Sequence, residues 1–131
     1  MLSSSCTSSL SSTLPASPTT STPAAPTTTE AFVGTLPVGG ARFYSFSIAV
    51  YGTVNVTLVS IGGPSVPPDV VVNLGIGTLV GTGCSSSSPT GVSVGSAAVT
   101  ASEQPGQYCA TIADVGNLAA AADFTVTIDH P

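Results

Sequence analysis

The sequence predicts an all-β protein: an antiparallel β-sandwich, jelly-roll-like and of about seven strands, behind an extended N-terminal tail. Three observations carry this expectation. From Ala31 onward the large apolar residues of each run fall on even numbers, and a period of two puts them on one face of a strand. Clusters of Gly, Pro, Asn and Asp separate the runs, as turns require. No long stretch has helical periodicity; residues 117–123 are Ala-rich but short enough for a loop or a single turn.

The tail comes first, over residues 1–30. Seventeen of the residues from Ser3 to Thr29 are Ser or Thr, and Pro15, Pro18, Pro23 and Pro26 punctuate them. Leu2, Leu10 and Leu14 are its only sizeable apolar side chains, too few to offset the entropy of ordering the segment alone. Proline favours extended polyproline II. Ser/Thr with Pro is also the composition of O-glycosylated stalks, which makes Thr19, Thr20, Ser21, Thr22, Thr27, Thr28 and Thr29 candidate sugar acceptors. A flexible interdomain linker is the plainer alternative. Such a segment is ordered by lying on a partner, adding a strand to a neighbour's sheet, or carrying glycans.

The β domain follows, over residues 31–131. Residues 31–36 supply a first strand. Tyr44, Phe46 and Ile48 form the next inward set, then Val54, Val56 and Leu58, then Val70, Val72, Leu74 and Ile76. Val92 and Val94 follow, then Tyr108, Ala110 and Ile112, and finally Phe124, Val126 and Ile128. Between them Ser45, Ser47, Thr53, Asn55, Thr57, Asn73, Thr111, Thr125 and Thr127 are expected to line the solvent side, where Thr also suits a strand. Turns are expected at Gly39-Gly40, Tyr51-Gly52, Gly62-Gly63-Pro64, Pro67-Pro68-Asp69, Ser88-Pro89-Thr90-Gly91, Pro105-Gly106 and Asp114-Val115-Gly116-Asn117.

Charge excludes several functions. The 131 residues contain one cation, Arg42, against six acids, for a net charge of -5. A nucleic-acid partner needs several cations to displace counterions, so none is expected, and anionic lipid is disfavoured likewise. A surface this poor in ions is weakly defended against self-association, which suits a homo-oligomer or a glycan-coated protein. No apolar run reaches the ~20 residues of a membrane span; residues 70–80 are interrupted by Asn73 and glycines. No secretion signal is legible at the N-terminus, so the signal is expected to have been removed or to precede the numbered chain, with Met1 an artefact of the start.

Cys84 follows the third long strand, and Cys109 lies on the odd face opposite Tyr108 and Ala110. A bond between them closes a loop of about 25 residues, worth ~3 kcal/mol in the chain-entropy model, and implies an oxidising, extracellular or cell-surface location. Two free thiols are the alternative. Cys6 is then left over, a candidate for an intermolecular contact.

The β part resembles the bacterial pre-peptidase C-terminal domain, a small secreted sandwich. The likeness is carried by Phe32-Val33-Gly34-Thr35-Leu36 with Gly39-Gly40, by Phe43-Tyr44-Ser45-Phe46-Ser47, and by Gly52-Thr53-Val54-Asn55-Val56-Thr57-Leu58 with Leu74-Gly75-Ile76-Gly77. It is sharpest at Pro105-Gly106-Gln107-Tyr108-Cys109 and Asp114-Val115-Gly116-Asn117-Leu118, and closes on Phe124-Thr125-Val126-Thr127-Ile128 with His130-Pro131. The resemblance implies a non-catalytic domain, usually an appendage of secreted enzymes and surface proteins; here the domain is expected to stand alone behind its tail.

Candidate chemistry is sparse. His130, the only histidine, sits beside no serine in a nucleophile-elbow pattern and reads as a solvated end residue. Asp69, Asp114, Asp123 and Asp129 form no compact set of calcium ligands; Asp69 and Asp114 read as turn formers. Without Trp, and with most aromatics assigned to the core, no stacking platform for sugar stands out. Asn55-Val56-Thr57 is a formal sequon. Arg42 is expected to pair with an acid, weakly. No catalytic residue, metal or cofactor is expected. The function expected is a secreted, non-enzymatic structural subunit, self-associating into a filament or surface layer, with a glycosylated or partner-bound tail. The alternative is an accessory polysaccharide- or cell-wall-binding module cut from a larger secreted protein.

Overall fold

A computed structural model describes residues 22–131. The expected alternation produces eight strands: β1 (Thr28–Leu36), β2 (Ala41–Ile48), β3 (Gly52–Gly62), β4 (Val72–Val80), β5 (Gly83–Val92), β6 (Val99–Glu103), β7 (Gly106–Ala113) and β8 (Ala122–His130). They form two four-stranded sheets, ordered β1-β8-β3-β6 and β2-β7-β4-β5, and every strand pairs antiparallel with its neighbours. This interleaved order is the jelly roll, two Greek keys folded face to face. No helix occurs among the described residues.

The core lies between the sheets, where period two placed it. Phe46, Ile48, Val54, Val56, Leu58, Val72, Leu74, Ile76, Ala110, Ile112, Phe124, Val126 and Ile128 are all buried. Tyr44 and Tyr108 pack against this cluster from its margin. On the edge strand β1, Gly34 stands directly opposite Phe124, and a Cβ there would lie 3.2 Å from the Phe124 ring. The absent side chain lets the largest fully buried residue spread across its neighbour strand, as aromatics do over edge glycines.

Three local expectations change. Ser88-Pro89-Thr90-Gly91 is no turn but part of β5. Leu74 pairs with Thr90 and Ile76 with Ser87, so Ser88 and Pro89 stand opposite Gly75 alone. The breakers form a β-bulge, with Ser88 at φ 57°; proline is tolerated on an edge strand at such a site. Val94 is 42% exposed, because the chain turns there, with Ser96 N–H donating to the Ser93 carbonyl at 3.0 Å and Gly95 at φ 93°. β6, Val-Thr-Ala-Ser-Glu, has side chains too small to announce a strand, and it supplies the eighth.

Candidate functional site

The two long margins of the sandwich differ. At one, β1 and β2 are stitched together. Phe32 of β1 stacks on Tyr44 of β2 with centroids 5.5 Å apart. Tyr44 Oη donates to Glu30 Oε1 of β1 at 2.6 Å. His130 Nε2, at the end of β8, lies 2.6 Å from Glu30 Oε2, and its ring stacks on Phe46 of β2. One carboxylate therefore ties three strands and both sheets. The Tyr44 and His130 hydrogen bonds hold the Glu30 carboxyl below its ordinary pKa, and the same bond raises that of Tyr44.

His130 is thus buried, 5% exposed, rather than solvated. Its partner strand β1 begins before Ala31, and Thr28 stands opposite it in the register. His130 Nδ1 faces the Pro131 carbonyl oxygen at 3.0 Å. Both ring nitrogens are engaged, and the arrangement is a clamp between the two sheets.

At the other margin the sheets part. The free edges of β5 and β6 border an open cleft of about 630 Å³, floored by Ile76 and lined by Ser88, Thr90, Val99, Ala101 and Glu103. In β6 the side chains of Val99, Ala101 and Glu103 are half-buried while Thr100 and Ser102 are exposed. Among the described residues β6 pairs on one side only, with β3, so its other side offers backbone donors and acceptors to an incoming strand. No aromatic side chain lines the cleft; Phe43, 40% exposed, lies on a different face.

That face is the outside of the β2-β7-β4-β5 sheet. Register puts Phe43, Ser45 and Ser47 of β2 beside Thr111, Cys109 and Gln107 of β7, and Thr111 and Cys109 beside Gly75 and Gly77 of β4. Cys109 is bonded to Cys84 across a Cα–Cα distance of 6.0 Å, so the disulfide expected from the strand positions is present. None of the six acids lies on this face. Asp123 and Asp129 are on the outside of the other sheet, accepting hydrogen bonds from Thr35 and Thr29. Glu30 is in the clamp, Glu103 borders the cleft, and Asp69 and Asp114 are in loops.

Asp114 works as a turn former should: its Oδ1 accepts from the backbone N–H of Gly116, Asn117 and Leu118, and its Oδ2 from Gly39 N–H at 2.7 Å. These bonds, the Gly39 one foremost, lower its pKa. Arg42 makes no ion pair among the described residues; its guanidinium donates to the Ala41 carbonyl, and position 42 sits opposite Ile112 at the strand's end. The one contact there between an acid and a basic ring or guanidinium is Glu30–His130, at 2.6 Å. Among the described residues no group of three or more metal-ligating side chains assembles, and no helix of these residues is long and apolar enough to cross a membrane.

Of the remaining candidates, Thr22, Thr27, Thr28 and Thr29 are exposed, and Asn55 is half-buried on the outer face of β3 with its Oδ1 accepting from Thr100. Cys6, Thr19, Thr20 and Ser21 lie outside the described residues. The clamp and the cleft were not legible as sites, since each joins residues far apart in the chain; the even number of His130, continuing the Phe124 series, was the one available signal of its burial. No protein-family model matches the chain, and no curated protein matches it.

Proposed function

We propose that this chain is a non-enzymatic structural subunit of the cell exterior, associating with copies of itself through the outer face of the β2-β7-β4-β5 sheet. The observation that carries the reading is the distribution of charge. Copies with a net charge of -5 repel one another, and contact through an acid-free face keeps like charges apart. Small Ser, Thr and Gly side chains allow close approach, and the exposed Phe43 and Leu79 supply apolar area. The disulfide suits an oxidising compartment. The Ser/Thr/Pro-rich tail would carry O-linked sugar or contact a neighbour, and the resemblance to the pre-peptidase C-terminal domain favours a role without catalysis.

The test is sedimentation velocity with electron microscopy on the full-length chain. Concentration-dependent assembly is expected, and Ser45→Glu with Thr111→Glu should return it to monomers with an unchanged far-ultraviolet spectrum. A wild-type chain that stays monomeric at every concentration, or a double variant that assembles as well as the wild type, overturns the reading. A sheet face meeting its own copy closes a two-fold dimer, so a filament needs a second, head-to-tail contact.

A further inference from the structure

The cleft between β5 and β6 fits that second contact. Of its two bordering edges, β5 is blunted by Pro89, by the bulge and by Ser88 in the left-handed region. These are devices that prevent strand addition. β6 has none of them: its five residues hold no proline and no charge before Glu103, and its register with β3 is unbroken. An unguarded edge beside an open cleft invites β-augmentation, in which backbone bonds hold an added strand and alternate side chains fill the pocket.

The chain itself contains a segment of the required pattern. Leu10-Ser11-Ser12-Thr13-Leu14 is five residues long, like β6, and Pro15 follows at once. In an extended strand Leu10, Ser12 and Leu14 share one face, and Ser11 and Thr13 the other. Two leucines would meet Val99, Ala101 and Ile76 while hydroxyls face water, and Pro15, unable to donate, would end the pairing.

The path of the chain indicates whose cleft is filled. Ala24 bridges Gly52, and Gly52 pairs with Glu103. The segment therefore leaves the body two strand spacings, about 10 Å, from the end of β6. Residues 15–23 hold three prolines, and at polyproline spacing they span about 28 Å. A spacer held at that spacing would overshoot its own cleft and reach outward. We infer that residues 10–14 of one copy add as a strand to the free edge of β6 in the next copy, with both leucines in the cleft. This rests on the self-association reading and supplies the head-to-tail contact which that reading leaves open.

Amide hydrogen exchange on the assembled full-length chain tests it, comparing wild type with Leu10→Asp/Leu14→Asp and Leu10→Val/Leu14→Val. In wild type and the Val variant, β6 amides not bonded to β3 should exchange at least tenfold slower than in the Asp variant, and filaments should shorten to dimers or monomers only in the Asp variant. Equal β6 exchange in all three overturns the inference, while loss of assembly in Ser45→Glu/Thr111→Glu independently tells whether the face contact stands. Protection that depends on both leucines yet persists in dilute monomers would seat the segment in its own cleft and also overturn the exchange between copies. So would protection appearing only on addition of a neutral oligosaccharide such as cellohexaose.

Discussion

Glu30 shows how one side chain can join two sheets. Its carboxylate accepts from Tyr44 and from His130, and a charge-assisted bond of this kind contributes more than a neutral one. Tyr44→Phe removes one donor and keeps the ring against Phe32; the expected loss is about 1–2 kcal/mol in denaturant titration. His130→Ala should cost more, about 2–4 kcal/mol, because it also vacates a buried ring site against Phe46. The pH dependence follows from direction alone. Glu30 and Asp114 have lowered pKa values in the fold, from 4.5 and 3.8, so the unfolded chain binds protons first as pH falls. Their contribution is complete above those ordinary values and is lost as pH drops through the lowered ones. Melting temperature measured from pH 6 down to pH 2 should therefore fall below about pH 4.5, and less steeply in Glu30→Gln and Asp114→Asn than in the wild type.

At the level of the strand, what distinguishes the two margins is how each edge is treated. β1 and β2 cover each other with aromatic rings and the Glu30 clamp, whereas β5 is bent by its bulge and β6 is left open. The disulfide compensates on the open side by fixing β5 to β7. Replacing both cysteines, Cys84→Ala with Cys109→Ala, should cost ~3 kcal/mol. For a domain of about 100 residues that lowers the melting temperature by about 14 °C, measurable by calorimetry. Gly52 is a second constraint. A Cβ there would lie 2.7 Å from the Ala24 carbonyl oxygen and against Pro131, so the bridge between the entering segment and β3 needs glycine. Gly52→Ala should detach that segment or cost about 1–3 kcal/mol, visible as faster exchange of the Thr53 amide, which donates to the Ala24 carbonyl.

For the whole molecule the decisive quantity is charge, and its placement matters more than its sum. Asp123 and Asp129 mark one broad face as acidic, and the other carries no ion. On the proposed reading, association through the neutral face would proceed against the general repulsion of a net charge of -5 and would gain nothing from intersubunit ion pairs. Added salt should then promote assembly, since screening shortens the reach of the repulsion from about 10 Å at 0.1 M to about 3 Å at 1 M. Light scattering should show a lower concentration threshold at 0.5 M sodium chloride than at 0.05 M; a contact built on Arg42 would show the opposite.

The sequence by itself determined the sandwich, its core and its staple. Alternation is a local property, and strands with one apolar face have few ways to bury it. That is why Phe46, Val56, Leu74, Ile112 and Val126 could be assigned inward from parity, and why Cys84 and Cys109 could be paired from their places beside strands. Parity also ran on to His130, but whether a polar ring at that position is buried depends on a carboxylate one hundred residues away. Breakers such as Ser88-Pro89 read alike in a turn and in a bulge until the partner strand is known. Small residues such as those of β6 become a strand only because β3 lies beside them. The tertiary structure alone decided the clamp, the cleft and the acid-free face, because each is made by strands that are neighbours in space and distant along the chain.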